Sequence, residues 1–202
     1  GLKLYIDNSE YTGTRSTTED DGREAYCGDQ TKSSLNINRK VYVPLTQNWA
    51  RYLDILENPT DSEICVDVKI YQNMGSDGSD YLNTSDGDTT WELTDYWMMW
   101  DDRSPTTGDD AAGFIYQHET GDETIDSLSP TTASGGVNQW IWENVCVSAG
   151  DTEILMHFFT QWDTRLQSET ECNVIYENYL DDIYIEGMST DEISQVVNWP
   201  MV

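Results

Sequence analysis

The chain has 202 residues, 37% of them hydrophobic and 11% aromatic, which is enough for a sizeable core and argues against wholesale disorder. Asp and Glu number 38 against 10 Lys and Arg, a formal net charge of -28. That balance excludes nucleic acid and anionic lipid as partners, since no basic patch exists to neutralise phosphates, and no stretch is long and apolar enough for a membrane-spanning helix.

The elements read as strands almost from the first residue. Leu2, Leu4 and Ile6 alternate with Lys3 and Tyr5 directly after Gly1, a start that suits a processed, exported chain. Residues 1–8 are expected to form an N-terminal extension strand. Glu19-Asp20-Asp21-Gly22 is a polar loop. Asn36 to Val43 alternates loosely and stops at Pro44, and Trp49 to Leu56 is an apolar segment closed by Asn58-Pro59. Ile64, Val66, Val68 and Ile70 face one way and Cys65, Asp67, Lys69 and Tyr71 the other, the period-two pattern of a half-buried strand. A loop of Gly, Ser, Asp and Asn runs from Gly75 to Asp88. Aromatic density resumes at Trp91 to Trp100, and Asp101 to Gly113 is a second acidic loop. Val137 to Val147 is a strand, with Glu153 to Phe159 as its expected hairpin partner across Ala149-Gly150-Asp151. Val174 to Glu186 is expected to close the sheet. Ser189 and Glu192, three apart, form a capping box that predicts a short helix over residues 189–199. No internal repeat or linker appears, so the expectation is one all-β, antiparallel β-sandwich domain over residues 1–202, with that helix at its end.

Cys27, Cys65, Cys146 and Cys172 form no CxxC and have no His at ligand spacing, which argues against zinc. They read as two disulfides of an exported protein, with three pairings possible. Cys27–Cys65 with Cys146–Cys172 is the favoured choice, because the second pair can link neighbouring C-terminal strands.

Gln139-Trp140-Ile141-Trp142, then Val147-Ser148-Ala149-Gly150-Asp151-Thr152-Glu153-Ile154-Leu155, then Tyr179-Leu180-Asp181-Asp182-Ile183-Tyr184-Ile185 occur in a familiar order. This part of the chain resembles the C-terminal half of galactose-binding-like jelly rolls, the β-sandwich carbohydrate-binding modules. Ser9-Glu10-Tyr11-Thr12-Gly13 resembles their opening region. The resemblance covers about a quarter of the chain and implies a jelly-roll sandwich, a final strand starting near Asp181, and a structural calcium held by Asp181 with Glu10.

Other acidic residues are candidate calcium ligands on their own chemistry. Asp77, Asp80, Asp86 and Asp88 lie in one loop, and calcium takes six to eight oxygen ligands. Asp101, Asp102, Asp109 and Asp110 form a second cluster. The charge also reads as a general adaptation to salt. Trp97, Trp100, Trp140 and Trp142 are candidates for a sugar-stacking platform. Trp140 and Trp142 share a strand face and Trp97 and Trp100 do not, and core packing is the competing reading for all four. Catalysis has little support: His118 and His157 are isolated and no Gly-x-Ser-x-Gly motif occurs. The sequence therefore favours a secreted, non-enzymatic structural subunit of a filament, tube or surface layer, stabilised by calcium and polymerising with copies of itself by strand addition. The alternative is a glycan-binding module of a polysaccharide-processing system, and a lyase or hydrolase comes third.

Overall fold

The computed structural model describes residues 2–73, 81–101, 110–129 and 137–201. Its strands, in chain order, are β1 (Lys3–Ile6), β2 (Ser9–Glu10), β3 (Arg15–Glu19), β4 (Glu24–Lys32), β5 (Leu35–Tyr42), β6 (Trp49–Glu57), β7 (Ile64–Asn73), β8 (Tyr81–Thr84), β9 (Trp97–Asp101), β10 (Ala111–Ile115), β11 (Ser127–Ser129), β12 (Val137–Val147) and β13 (Thr152–Trp162). Three helices follow: α1 (Arg165–Asn178), α2 (Asp182–Ile185) and α3 (Thr190–Gln195). The strands form a five-stranded sheet, β11-β12-β7-β1-β2, and an eight-stranded sheet, β3-β4-β5-β6-β13-β10-β9-β8, both antiparallel. The expected all-β sandwich is what the chain adopts.

The eight-stranded sheet is apolar on both faces, so it carries two cores. Between the sheets, Leu4 and Ile6 of β1, Val66, Val68 and Ile70 of β7, and Trp140 and Trp142 of β12 meet Ile37, Leu56, Trp100, Phe114 and Leu155. On the other face, Trp49, Leu53, Met99, Ile115, Met156 and Phe158 pack under Cys172, Ile175, Tyr184 and Trp199 of the C-terminal region. The period-two reading of Ile64 to Tyr71 holds, with Val66, Val68 and Ile70 buried and Cys65 and Asp67 exposed. A bulge between Trp142 and Val145, with Asn144 at φ 61°, switches β12's inward parity from even to odd residues.

Several expectations change. β12 and β13 are not a hairpin. β12 pairs with β7 and β11, and β13 pairs with β6 and β10, so residues 148–151 cross from one sheet to the other. Buried Asn58 pins that crossing: its Nδ2 donates to Val147 O at 2.8 Å and its N–H to Asp151 O at 2.9 Å. The segment expected to close the sheet, Val174 to Glu186, is helical in α1 and α2, and so the final strand implied by the family resemblance is absent there. Thr164 caps α1 by accepting from Gln167 N at 3.4 Å. The helix seats Ser168, Cys172 and Ile175 on the sheet at Gly113, where a Cβ would lie 2.3 Å from Cys172 Sγ. The capping box at Ser189 and Glu192 forms as read and starts α3. The Gly75 to Asp88 loop contains β8, and β10 begins inside the second acidic loop, at Ala111.

The disulfide joins Cys65 to Cys146, while Cys27 and Cys172 are free thiols. The favoured pairings fail because Cys65 and Cys146 stand directly opposite each other on β7 and β12. Cys172 sits on the buried face of α1 against Thr160. β1 lies inside its own sheet, paired with β7 on one side and β2 on the other.

Among the described residues, at least four of the ten basic residues hold the helical layer to the eight-stranded sheet, Arg165 of α1 by pairing with Asp101 of β9 at 2.6 Å. Arg51, wholly buried, donates to Glu24 Oε1 at 3.0 Å and Tyr184 O at 2.8 Å. Lys40 bridges Glu19 at 2.7 Å and Glu192 at 2.8 Å. Arg23 meets Glu186 at 2.6 Å, and the hydrogen bonds from Arg23 and Tyr42 pull the Glu186 carboxyl down to about 2.

Candidate functional site

Among the described residues, part of the inner face of the eight-stranded sheet is left open at one end. Leu2, just before β1, accepts from Arg39 Nη1 of β5 at 2.7 Å. Beyond that point the same face continues into an open groove of about 400 Å³. Strand parity places its walls. Leu155 and Phe159 of β13 contact the inter-sheet core, so Gln161, two residues on, faces the groove. Half-buried Phe159 and Ala50 with exposed Val43 give an apolar floor. Gln47, Asn48, Asp110, Gln161 and Asp163, all exposed, give a polar rim of amides and carboxylates. Gln161 is fixed in place: its N–H donates to Asn48 O at 3.0 Å and its Nε2 to Asp110 Oδ2 at 3.2 Å.

Under the adjoining part of this face lies a buried polar cluster. Asp54 on β6 takes a bidentate fork from Arg39, at 2.5 and 2.9 Å. Tyr52, half-buried, stacks on His157 with ring centroids 5.1 Å apart and carries the Arg39 guanidinium 5.3 Å from its ring centre. His157 is 1% exposed, neither ring nitrogen has a hydrogen-bond partner among the described residues, and Asp54 Oδ2 lies 3.7 Å from its Nδ1. Burial lowers its pKa to about 4 despite the nearby carboxylate, so the ring is neutral at ordinary pH. Arg39 pairs with Asp54 through both carboxylate oxygens, so the negative charge beside His157 is matched by a buried guanidinium.

The residues singled out from sequence are placed elsewhere. Trp100, Trp140 and Trp142 lie in the inter-sheet core, each 1% exposed or less. Trp97, 3% exposed, lies in the helix-side core and donates to Asn173 Oδ1 at 3.1 Å. Packing takes both faces of these rings, so none offers a face to a sugar from this arrangement. Trp97 and Trp100 point to opposite sides of β9, as their spacing requires. Glu10, on β2, accepts from Tyr5 at 3.1 Å and pairs with Lys3 at 3.1 Å. Asp181 is at the start of α2, on the far side of the eight-stranded sheet, so the two are not brought together. Asp86 and Asp88 fold their own turn, accepting from Thr84 Oγ1 at 2.9 Å and Thr90 N at 2.6 Å respectively. Asp77, Asp80, Asp102 and Asp109 lie outside the described residues. Among the described residues, one group of three or more His, Cys, Asp or Glu ligand atoms falls within 4.8 Å: Glu63, Cys65 and Cys146.

Sequence reasoning did not find the groove. Asp110 entered only as a member of an acidic cluster. The available signal was the continued alternation of Phe159 and Gln161 past the end of the apolar run.

No protein-family model matches the chain, and no curated protein matches it either. Solved structures do share its fold. A protein provisionally described as a kojibiose phosphorylase, from the human microbiome, aligns with TM-score 0.52 at 9% identity over 96% of this chain and 26% of its own. A protein described as a polysaccharide lyase aligns with TM-score 0.51 at 8% identity over 85% of this chain and 26% of its own. The heparan sulfate lyase HepC from Pedobacter heparinus aligns with TM-score 0.50 at 8% identity over 80% and 24%. The chain thus spans about a quarter of the length of each, and the likeness is one of β-sandwich fold.

Proposed function

We propose that this chain is a non-enzymatic carbohydrate-binding domain of a secreted polysaccharide-processing system, and that the inner-face groove is its site for a neutral glycan. The observation that carries the reading is the groove's composition. A pyranose ring offers an apolar C–H face and a rim of hydroxyls. The Phe159, Ala50 and Val43 floor suits the first, and the fixed Asp110–Gln161 pair with Gln47 and Asn48 suits the second. The net charge of -28 disfavours sulfated or uronic chains, which separates this site from the substrate named for the heparan sulfate lyase. The shared fold of domains from carbohydrate-processing proteins supports the same direction, although a fold hosts many functions. The exposed disulfide suits an oxidising compartment. One support for the assembly reading was a donated N-terminal strand, and β1 pairs within its own sheet.

Affinity electrophoresis against neutral polysaccharides, with heparan sulfate as the acidic control, tests this. Retention by a neutral glycan, weakened by Gln161→Ala and by Asp110→Ala at unchanged thermal stability, is the expected result. Retention unaffected by both variants, or confined to the acidic chain, overturns it. New reducing ends on the bound glycan would overturn the non-enzymatic part alone.

A further inference from the structure

Glu63, Cys65 and Cys146 place one carboxylate oxygen and two sulfurs within 4.8 Å of one another at the end of the five-stranded sheet. We propose that this disulfide is a redox gate, and that its reduced form binds one thiophilic divalent cation of the zinc class through both thiolates and Glu63.

The cysteines are directly opposed on β7 and β12, with Cα atoms 3.9 Å apart. Pairs on either side, Val66 with Val145 and Ile64 with Val147, continue the ladder, and Val66, Val145 and Val147 are buried. The backbone therefore holds the two sulfurs as neighbours without help from the S–S bond. A tetrahedral zinc with Zn–S bonds of about 2.3 Å needs sulfurs about 3.8 Å apart, which rotation about the Cα–Cβ bonds of such a pair supplies. Cys65 and Glu63 are exposed and Cys146 is half-buried, so both a reductant and an ion reach the site. Asn144 Nδ2, 3.6 Å from Cys146 Sγ, is placed to donate to a thiolate there. The acidic surface raises the local concentration of divalent cations.

The chemistry balances with an external dithiol. Its thiolate attacks one sulfur, the mixed disulfide resolves, and the reductant leaves as its own cyclic disulfide while Cys65 and Cys146 gain two electrons and two protons. The cation then displaces both protons. Oxidation reverses the sequence and expels the ion. Two bound thiolates select zinc or cadmium over calcium, whose ligands are oxygens.

The test uses the full chain carrying Cys27→Ser, to remove the other accessible thiol, in oxidised and dithiol-reduced forms. Zinc is titrated in competition with a chromophoric chelator, and cobalt(II) is added separately to read thiolate-to-metal charge transfer in the near ultraviolet. The reduced form is expected to bind one equivalent with that absorption, and the oxidised form none. Outer-shell changes at metal sites already cost 10–100-fold in affinity, so Glu63→Gln should weaken zinc by at least about tenfold. Equal binding by both forms, unaltered affinity in Glu63→Gln, or loss of the native fold on reduction would each overturn the proposal, the last because the ladder must hold the sulfurs unaided.

Discussion

Removing His157 should remove a defined part of the protein's acid sensitivity. In the native state its pKa is about 4, because burial between the sheets disfavours the imidazolium. In the unfolded chain it returns to its ordinary 6.5. Between those values the unfolded state binds a proton that the native state refuses, so stability is fully present above about pH 6.5. It is lost progressively as pH falls to about 4, and below that the residue contributes no further slope. One pKa unit is worth about 1.36 kcal/mol, and the gap therefore amounts to about 3 kcal/mol. With the ring 1% exposed, solvent screening takes little from that figure. His157→Phe keeps a ring against Tyr52 and cannot titrate. Urea unfolding of both proteins at pH 4, 5, 6 and 7 yields a stability difference in which the shared carboxylate titrations cancel. Wild type should lose about 3 kcal/mol relative to the variant between pH 7 and 4. A difference that stays flat across that range would refute the placement of a neutral histidine in the core.

Other outcomes follow from packing and cross-links. Gly113→Ala should destabilise by about 1–3 kcal/mol through overpacking, since the added Cβ lies 2.3 Å from Cys172 Sγ and 2.6 Å from Thr160 Oγ1; an unchanged urea midpoint would mean that α1 does not rest on β10 there. Reducing Cys65–Cys146, which spans 81 residues, should cost about 4–5 kcal/mol in the chain-entropy model, measured as the change in unfolding free energy; a loss below about 1 kcal/mol would count against the pairing. Sodium should restore the melting temperature of chelator-treated protein as well as millimolar calcium at equal ionic strength, because no oxygen-ligand set for calcium is assembled among the described residues; rescue by calcium alone would show a specific site.

What the sequence disclosed was local. The alternation in β7 and the capping box of α3 are written within a few residues, and both form as read. What it hid was long-range. Ala149-Gly150-Asp151 is a turn in either case, but nothing in those residues says whether the next strand joins the same sheet or the opposite one. Buried Asn58, far upstream, settles that. Pairing of the cysteines depends on the same cross-sheet register. The strand expected from Val174 to Glu186 failed for a different reason. Val174, Ile175, Tyr184 and Ile185 suggested strand propensity, while Thr164 and Gln167, three apart, carried a helix-start signal that outweighs it. The tryptophans of the sugar platform are core residues because an eight-stranded sheet with two apolar faces needs large side chains on both. The groove is lined by Val43, Asn48, Ala50, Asp110, Phe159 and Gln161, which lie far apart in the chain, and no local pattern records that they meet.

The exposed end of the inner face is the proposed seat of a neutral sugar chain. Chemical-shift mapping with an oligosaccharide from a retained polysaccharide tests it most directly. The largest amide shifts are expected at Ala50, Asp110 and Gln161, saturating together with one dissociation constant. Saturable shifts centred outside the groove, or none with any neutral glycan, would contradict it.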